Sequence, residues 1–170
     1  LLITEALPEA SAAGWSVLKL KVGITPLDQE LAQLRQLIAE LPAGVTLRLD
    51  ANGAWDLPTA RTAIAALNTL HAAAGANGCI EGLEEPLRSP HDADLAELQT
   101  LARFPLAIDE SFHHWPDPVL APVQRLVIKP GVVGGLRASL ALARRAQAAG
   151  KQVVITSLVE SACGLWSSAQ

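Results

Sequence analysis

Six short apolar runs, each closing on a polar or charged residue and each followed by a helical pattern, constrain what this chain can fold into. The runs are Ser16 to Val22, Val45 to Leu49, Cys79 to Leu83, Pro105 to Ile108, Arg125 to Ile128 and Gln152 to Ile155. They end around Lys21, Asp50, Glu84, Asp109, Lys129 and Thr156, at intervals of 29, 34, 25, 20 and 27 residues. Apolar strands separated by helices form a parallel sheet covered on both faces. An open doubly wound sheet satisfies the alternation, but it concentrates chemistry at one switch point. Here every strand ends in a polar residue, so the expected fold is α/β, a closed (β/α)8 barrel of the TIM type. Such a barrel takes about 250 residues. With 170 residues and about six βα units, this one is expected to be incomplete, without its first and eighth strands.

The connecting segments carry helical periodicity. Pro26-Leu27-Asp28 opens a helix to about Glu40, with apolar residues at Leu27, Leu31, Leu34, Leu37 and Ile38. Thr25 is its expected N-cap, with Asp28 three residues on, close to a capping box. A second helix runs from Leu57 or Pro58 to about Ala74, followed by a turn over Gly75 to Gly78. Asp92 to Arg103, a short segment Trp115 to Leu120 with two prolines, and Gly134-Gly135 to about Ala149 supply further helices. Shorter helices are expected over Thr4 to Ala13 and from near Glu160.

Half the residues are hydrophobic, enough for the core of one domain over residues 1–170. A net charge of −4 argues against a nucleic-acid surface. No apolar run is long enough to span a bilayer, and no charged-then-apolar leader is present. Cys79 and Cys163 lie far apart with no CxxC pattern, so they are expected as free thiols of a reducing compartment, consistent with a cytoplasmic location. The absence of methionine leads to the expectation that the sequence is an excerpt or a processed piece. Oligomeric state is not legible.

Lys19 and Lys21 alternate with Leu18 and Leu20, so in a strand both ammonium groups share one face. On an edge strand they would simply face solvent and discourage aggregation. On a buried face, repulsion and lost hydration would lower their pKa values and make one a usable base. The rest of the chain favours the second reading. Parallel barrel strands direct their C-terminal ends to one rim, which gathers Lys19, Lys21, Asp50, Glu84, Asp109 and Lys129. Three carboxylates on neighbouring strand ends repel one another unless a cation sits between them. Hard oxygen ligands suit Mg2+, or Mn2+. A metal that grips a substrate carboxylate, with lysines on either side, is suited to removing the proton on the adjacent carbon.

The ordered set Lys-x-Lys, Asp-x-Asn, Glu-Glu-Pro, Asp-Glu-Ser and Lys-Pro resembles the enolase superfamily in its muconate-lactonizing-enzyme subgroup. Within it, Leu47 to Trp55, Leu83 to Pro86 and Val127 to Pro130 most resemble the o-succinylbenzoate synthase family. The likeness extends from about Gly14 to Gly164. It implies that Asp50, Glu84 and Asp109 ligate Mg2+, that Lys21 removes the α proton, and that Lys129 stabilises an enediolate. Lys19 would tune Lys21 and touch the substrate, a small-molecule carboxylate. The implied reaction is syn dehydration of a succinyl-hydroxycyclohexadiene carboxylate, on the route to menaquinone. Cycloisomerases, N-succinylamino-acid racemases and dipeptide epimerases share these residues, and such enzymes close the site with a separate capping domain, which is expected to lie outside this sequence. An inactive piece of such an enzyme is the remaining alternative.

Several other residues have two readings. Arg48, two before Asp50, either supports a ligating carboxylate or meets a substrate carboxylate, unless it forms a salt bridge inside the barrel. Asn52 is expected to orient the rim loop and contribute to substrate binding. Thr156, Ser157 and Ser161 either bind the substrate's tail, as the resemblance implies, or cap a helix. Glu85 is expected to point away from the metal. Gly131, Gly134 and Gly135 do not match GxGxxG spacing and are read as tight turns, and His113-His114 lacks metal-ligand spacing.

Overall fold

A computed structural model describes residue 7 and residues 12–73, 79–158 and 161–169. The turn expected over Gly75 to Gly78 lies outside these residues, as do most of the Thr4 to Ala13 helix and the start near Glu160. The chain divides into two compact units, Leu1–Leu106 and Ala107–Gln170.

The first unit alternates β1 (Val17–Lys21), α1 (Leu27–Glu40), β2 (Thr46–Asp50), α2 (Leu57–Ala73), β3 (Ile80–Glu84) and α3 (Asp92–Leu101). Its three strands are parallel. The register aligns side chains in rows: Lys19 with Arg48 and Gly82, and Lys21 with Asp50 and Glu84. Paired residues of parallel strands share a face, so all the charged residues of these rows lie on one side of the sheet. On the other side, Leu47, Leu49 and Leu83 are fully buried, as are Ile64 and Leu67 of α2. The period-2 alternation in the sequence thus sorts charge to one face and core to the other.

One irregularity interrupts the ladder. Leu47 pairs with Ile80, but Arg48 pairs with Gly82, so Glu81 is an extra residue opposite the Leu47–Arg48 step. This is a β-bulge, which re-aims a side chain and increases local twist.

The helix ends differ in two places from the sequence expectation. Thr25 does not cap α1: the N-cap position is Pro26, whose ring carries no hydrogen-bonding group. Instead Glu30, one turn inside the helix, accepts the amides of Gly23 and Ile24 at 2.8–3.2 Å. The α3 helix stops at Leu101, short of Arg103. There Asn68 of α2 donates to the Leu101 carbonyl at 2.8 Å and accepts the Arg103 amide at 2.9 Å, closing the helix from a neighbouring element.

In the second unit, β4 (Leu106–Ile108, beginning at the boundary), β5 (Arg125–Ile128) and β6 (Gln152–Ile155) are parallel neighbours in chain order. The helix α4 (Pro130–Val133) ends at Gly134, with φ 100°, and Gly135 leads into α5 (Leu136–Ala148). A last helix, α6, spans Ala162–Ala169. The single helix expected over Trp115 to Leu120 is replaced by two 3-10 turns, Glu110–His114 and Pro118–Leu120. Pro116 and Pro118 have no amide hydrogen to give a continuing helix, and Asp117 caps the second turn through the Val119 amide. Both units repeat one construction, consecutive parallel strands joined by helical crossovers. The fold is α/β, an incomplete (β/α)8 barrel of about six βα units.

Candidate active site

The C-terminal ends of β1, β2 and β3 carry the first group of candidate residues. Lys19 Nζ lies 3.0 Å from Asp50 Oδ2 and also donates to Glu84 Oε2. Lys21 Nζ lies 3.3 Å from the same Asp50 oxygen and donates to Asn52 Oδ1 at 2.9 Å. Asp50 Oδ1 accepts the Asn52 amide at 3.0 Å, and Asn52 itself occupies the left-handed region at φ 48°. The side chains of Asp50 and Glu84 are each 2% exposed, whereas those of Lys19 and Lys21 are 42% and 55% exposed. Two carboxylates this deeply buried require cations beside them, and the lysines provide them.

At Lys19 the electrostatics differ from the expectation that crowding lowers its pKa. For Lys19, burial does act downward, but hydrogen bonds to Glu84 and Asp50 and the charges of both outweigh it, so its pKa is raised. Burial also pushes upward on both carboxyls. Glu84 stays above the usual carboxylate range because burial outweighs its bond to Lys19. Asp50 is drawn below it by its bond to Lys19, the charges of both lysines and the Asn52 amide.

Arg48 takes its place in this face through the bulge. Its Nε donates to Glu81 Oε2 at 2.8 Å and lies 3.7 Å from Glu84 Oε1. Sequence reasoning missed Glu81, because strict alternation counted back from Glu84 puts it on the opposite face. Glu85 is buried at φ 46°, and its carbonyl accepts the Gly53 amide at 2.7 Å.

The second unit holds its own pair. Lys129, just after β5, places Nζ 2.6 Å from Asp109 Oδ1 and 3.6 Å from Glu110 Oε1. Asp109, just after β4, has a side chain 3% exposed. A cavity of about 230 Å³ opens beside them, lined by Asp109, Lys129, Phe112, His113, Val127 and Leu158. Thr156 and Ser157 follow β6, with the Thr156 amide bound to the Ile128 carbonyl. Ser161 caps α6, its Oγ accepting the Gly164 amide at 3.4 Å. Among the described residues, no group of three or more His, Cys, Asp or Glu side chains is gathered closely enough to cage a metal ion. No helix among them is long and apolar enough to cross a membrane.

The enolase C-terminal domain-like family model matches residues 2–170, nearly the entire chain. The chain belongs to this family. Chloromuconate cycloisomerase of Cupriavidus pinatubonensis is 34% identical to the enolase-like chain over 166 residues, covering 95% of this chain and 42% of the relative. An o-succinylbenzoate synthase of Thermosynechococcus vestitus is 40% identical over 98 residues, covering 58% of this chain and 29% of that protein. The muconate lactonizing enzyme of Pseudomonas putida superposes with a TM-score of 0.84 at 25% identity, covering 98% of this chain and 46% of that one. The enolase-like chain therefore spans less than half the length of these relatives, and the resemblance read from its motifs to the enolase superfamily stands.

Proposed function

We propose that the protein carrying this chain is a Mg2+-dependent lyase of the o-succinylbenzoate synthase type, with Mn2+ as an alternative metal. The observation that carries the reading is the convergence of the Asp50 and Glu84 carboxylates on one cation, the Lys19 ammonium, with Lys21 beside it. The donor set fits a hard divalent ion: these are oxygen ligands only, buried, and already directed at positive charge. Asp109 is the third carboxylate that the family resemblance implies. When bound, Mg2+ would supply Lewis-acid polarisation of the substrate carboxylate.

The chain's own groups do the rest. Lys21, held by Asn52, removes the α proton and then returns a proton to the departing hydroxide, so that one C–H and one C–O bond break and water leaves. Lys129 stabilises the negative charge of the enediolate from its own strand end. Lys19 balances the buried carboxylates. The product is the aromatic o-succinylbenzoate, and the substrate is a small-molecule carboxylate met in the cytoplasm.

A cycloisomerase is the second reading, favoured by the 34% identity to chloromuconate cycloisomerase over 95% of this chain. Both readings call on the same lysines and carboxylates, so the test is turnover. The purified full-length protein with Mg2+ is assayed on the succinyl-hydroxycyclohexadiene carboxylate, on a muconate and on an N-succinylamino acid. Dehydration of the first supports the proposal. Turnover of only one of the others reassigns the substrate, and no turnover of any removes the enzymatic reading.

A further inference from the structure

The bulge in β3 has a consequence for the metal ligand three residues after it. Regular alternation would set Glu84 and Gly82 inward and Glu81 outward. The extra residue reverses the count upstream: Ile80 pairs with Leu47 on the core side, and Glu81 joins Gly82 on the charged side. Gly82, which carries no side chain, stands directly opposite Arg48. Arg48 therefore reaches Glu81 at 2.8 Å while its Nε stays 3.7 Å from Glu84 Oε1. Its side chain is only 19% exposed, and that of Glu81 22%. A half-buried guanidinium anchored this way presents charge to one oxygen of Glu84 and leaves the other, Oε2, facing Lys19.

We propose that Arg48 and Glu81 form a positioning clamp that fixes the Glu84 carboxylate for the divalent cation, and that Arg48 is not a substrate-carboxylate contact. This rests on the metal reading given above. Residues that orient a metal ligand without touching the metal typically change affinity about 10–100-fold when lost.

The test is calorimetric titration of the substrate-free full-length protein with Mn2+, for wild type, Arg48→Met, Arg48→Lys and Glu81→Gln. Arg48→Met and Glu81→Gln are expected to weaken Mn2+ binding about 10–100-fold. Arg48→Lys, which keeps the charge, is expected to recover part of the loss. Glu81→Gln preserves the side-chain shape, so it reports even if Arg48→Met does not fold. Affinities within twofold of wild type in the folded variants overturn the clamp, as does a rise in substrate KM alone. A wild-type protein that takes up no divalent ion overturns the metal reading itself, and the clamp with it.

Discussion

Lys21 Nζ meets Asn52 Oδ1 at 2.9 Å, and Asn52 holds that position from a left-handed backbone conformation, φ 48°. The candidate base is thus positioned by a residue whose side chain and backbone both matter. Glycine accepts the backbone at no steric cost but gives up the hydrogen bond, whereas alanine loses both. Asn52→Gly is expected to leave stability nearly unchanged and to lower kcat about 10–100-fold through a misplaced lysine. Asn52→Ala should show the same catalytic loss and in addition cost about 1 kcal/mol. Urea melts and steady-state kinetics on the full-length protein separate the two effects.

On the proposed reading, Lys21 acts on the substrate and does not carry the metal. Lys21→Ala is expected to reduce kcat by about 10²–10⁴ at unchanged Mg2+ affinity. Proton exchange at the α carbon, followed by NMR in deuterated water, should vanish with turnover. Exchange that persists would assign the base to another group.

Glu84 and Glu85 are adjacent, and Glu84 shares the Lys19 ammonium with Asp50. Glu84→Gln is expected to lose most Mg2+ affinity in a calorimetric titration, and Glu85→Gln to leave it within a few-fold. The reverse order would make Glu85 the ligand.

The strands were legible because leucines and charged residues alternate at period 2 over Val17–Lys21 and Thr46–Asp50. The same pattern correctly put Lys19, Lys21, Arg48 and Asp50 on one face, since rows in a parallel sheet preserve parity. What stayed hidden was set by other elements. The sign of the Lys19 shift depends on carboxylates from β2 and β3, and a single strand reveals only the neighbouring lysine. A one-residue bulge leaves no periodic signature, so Glu81 was invisible. The end of α3 is decided by Asn68, 33 residues away from Leu101. Over Trp115 to Leu120, Pro116 and Pro118 limit the segment to a 3-10 turn at Pro118–Leu120.

His71 provides a pH test of the fold. Its Nδ1 accepts the Ile80 amide at 3.1 Å, which requires an unprotonated nitrogen. Burial lowers its pKa from the ordinary 6.5, and the charge of Arg103 lowers it further. The folded state therefore binds this proton more weakly than the unfolded chain. Its stabilising contribution is complete above about pH 6.5 and is lost as pH falls through the lower folded value. His71→Leu is expected to show a smaller drop in urea midpoint between pH 7 and pH 5 than wild type. Parallel pH profiles would remove His71 from the acid response.

Gly23 and Gly44 separate backbone strain from packing. Both have positive φ, 79° and 83°. A Cβ at Gly44 meets nothing within 4 Å, so Gly44→Ala is charged only the left-handed penalty, about 1–2 kcal/mol. A Cβ at Gly23 would lie 2.4 Å from Ala54 Cβ and 3.2 Å from Trp55 Nε1, and something must shift. The loop cannot yield freely, because the Gly23 amide is bound to both Glu30 oxygens at 2.8 and 2.9 Å. Overpacking adds about 1–3 kcal/mol, so Gly23→Ala is expected to cost clearly more than Gly44→Ala. Gly23 also follows Lys21 by two residues, so the displaced loop should misplace the base and lower kcat, while Gly44→Ala leaves kcat unchanged. Equal melting shifts and equal kcat values would mean that the Glu30 latch does not hold the loop, and that Lys21 is positioned by its strand and by Asn52 alone.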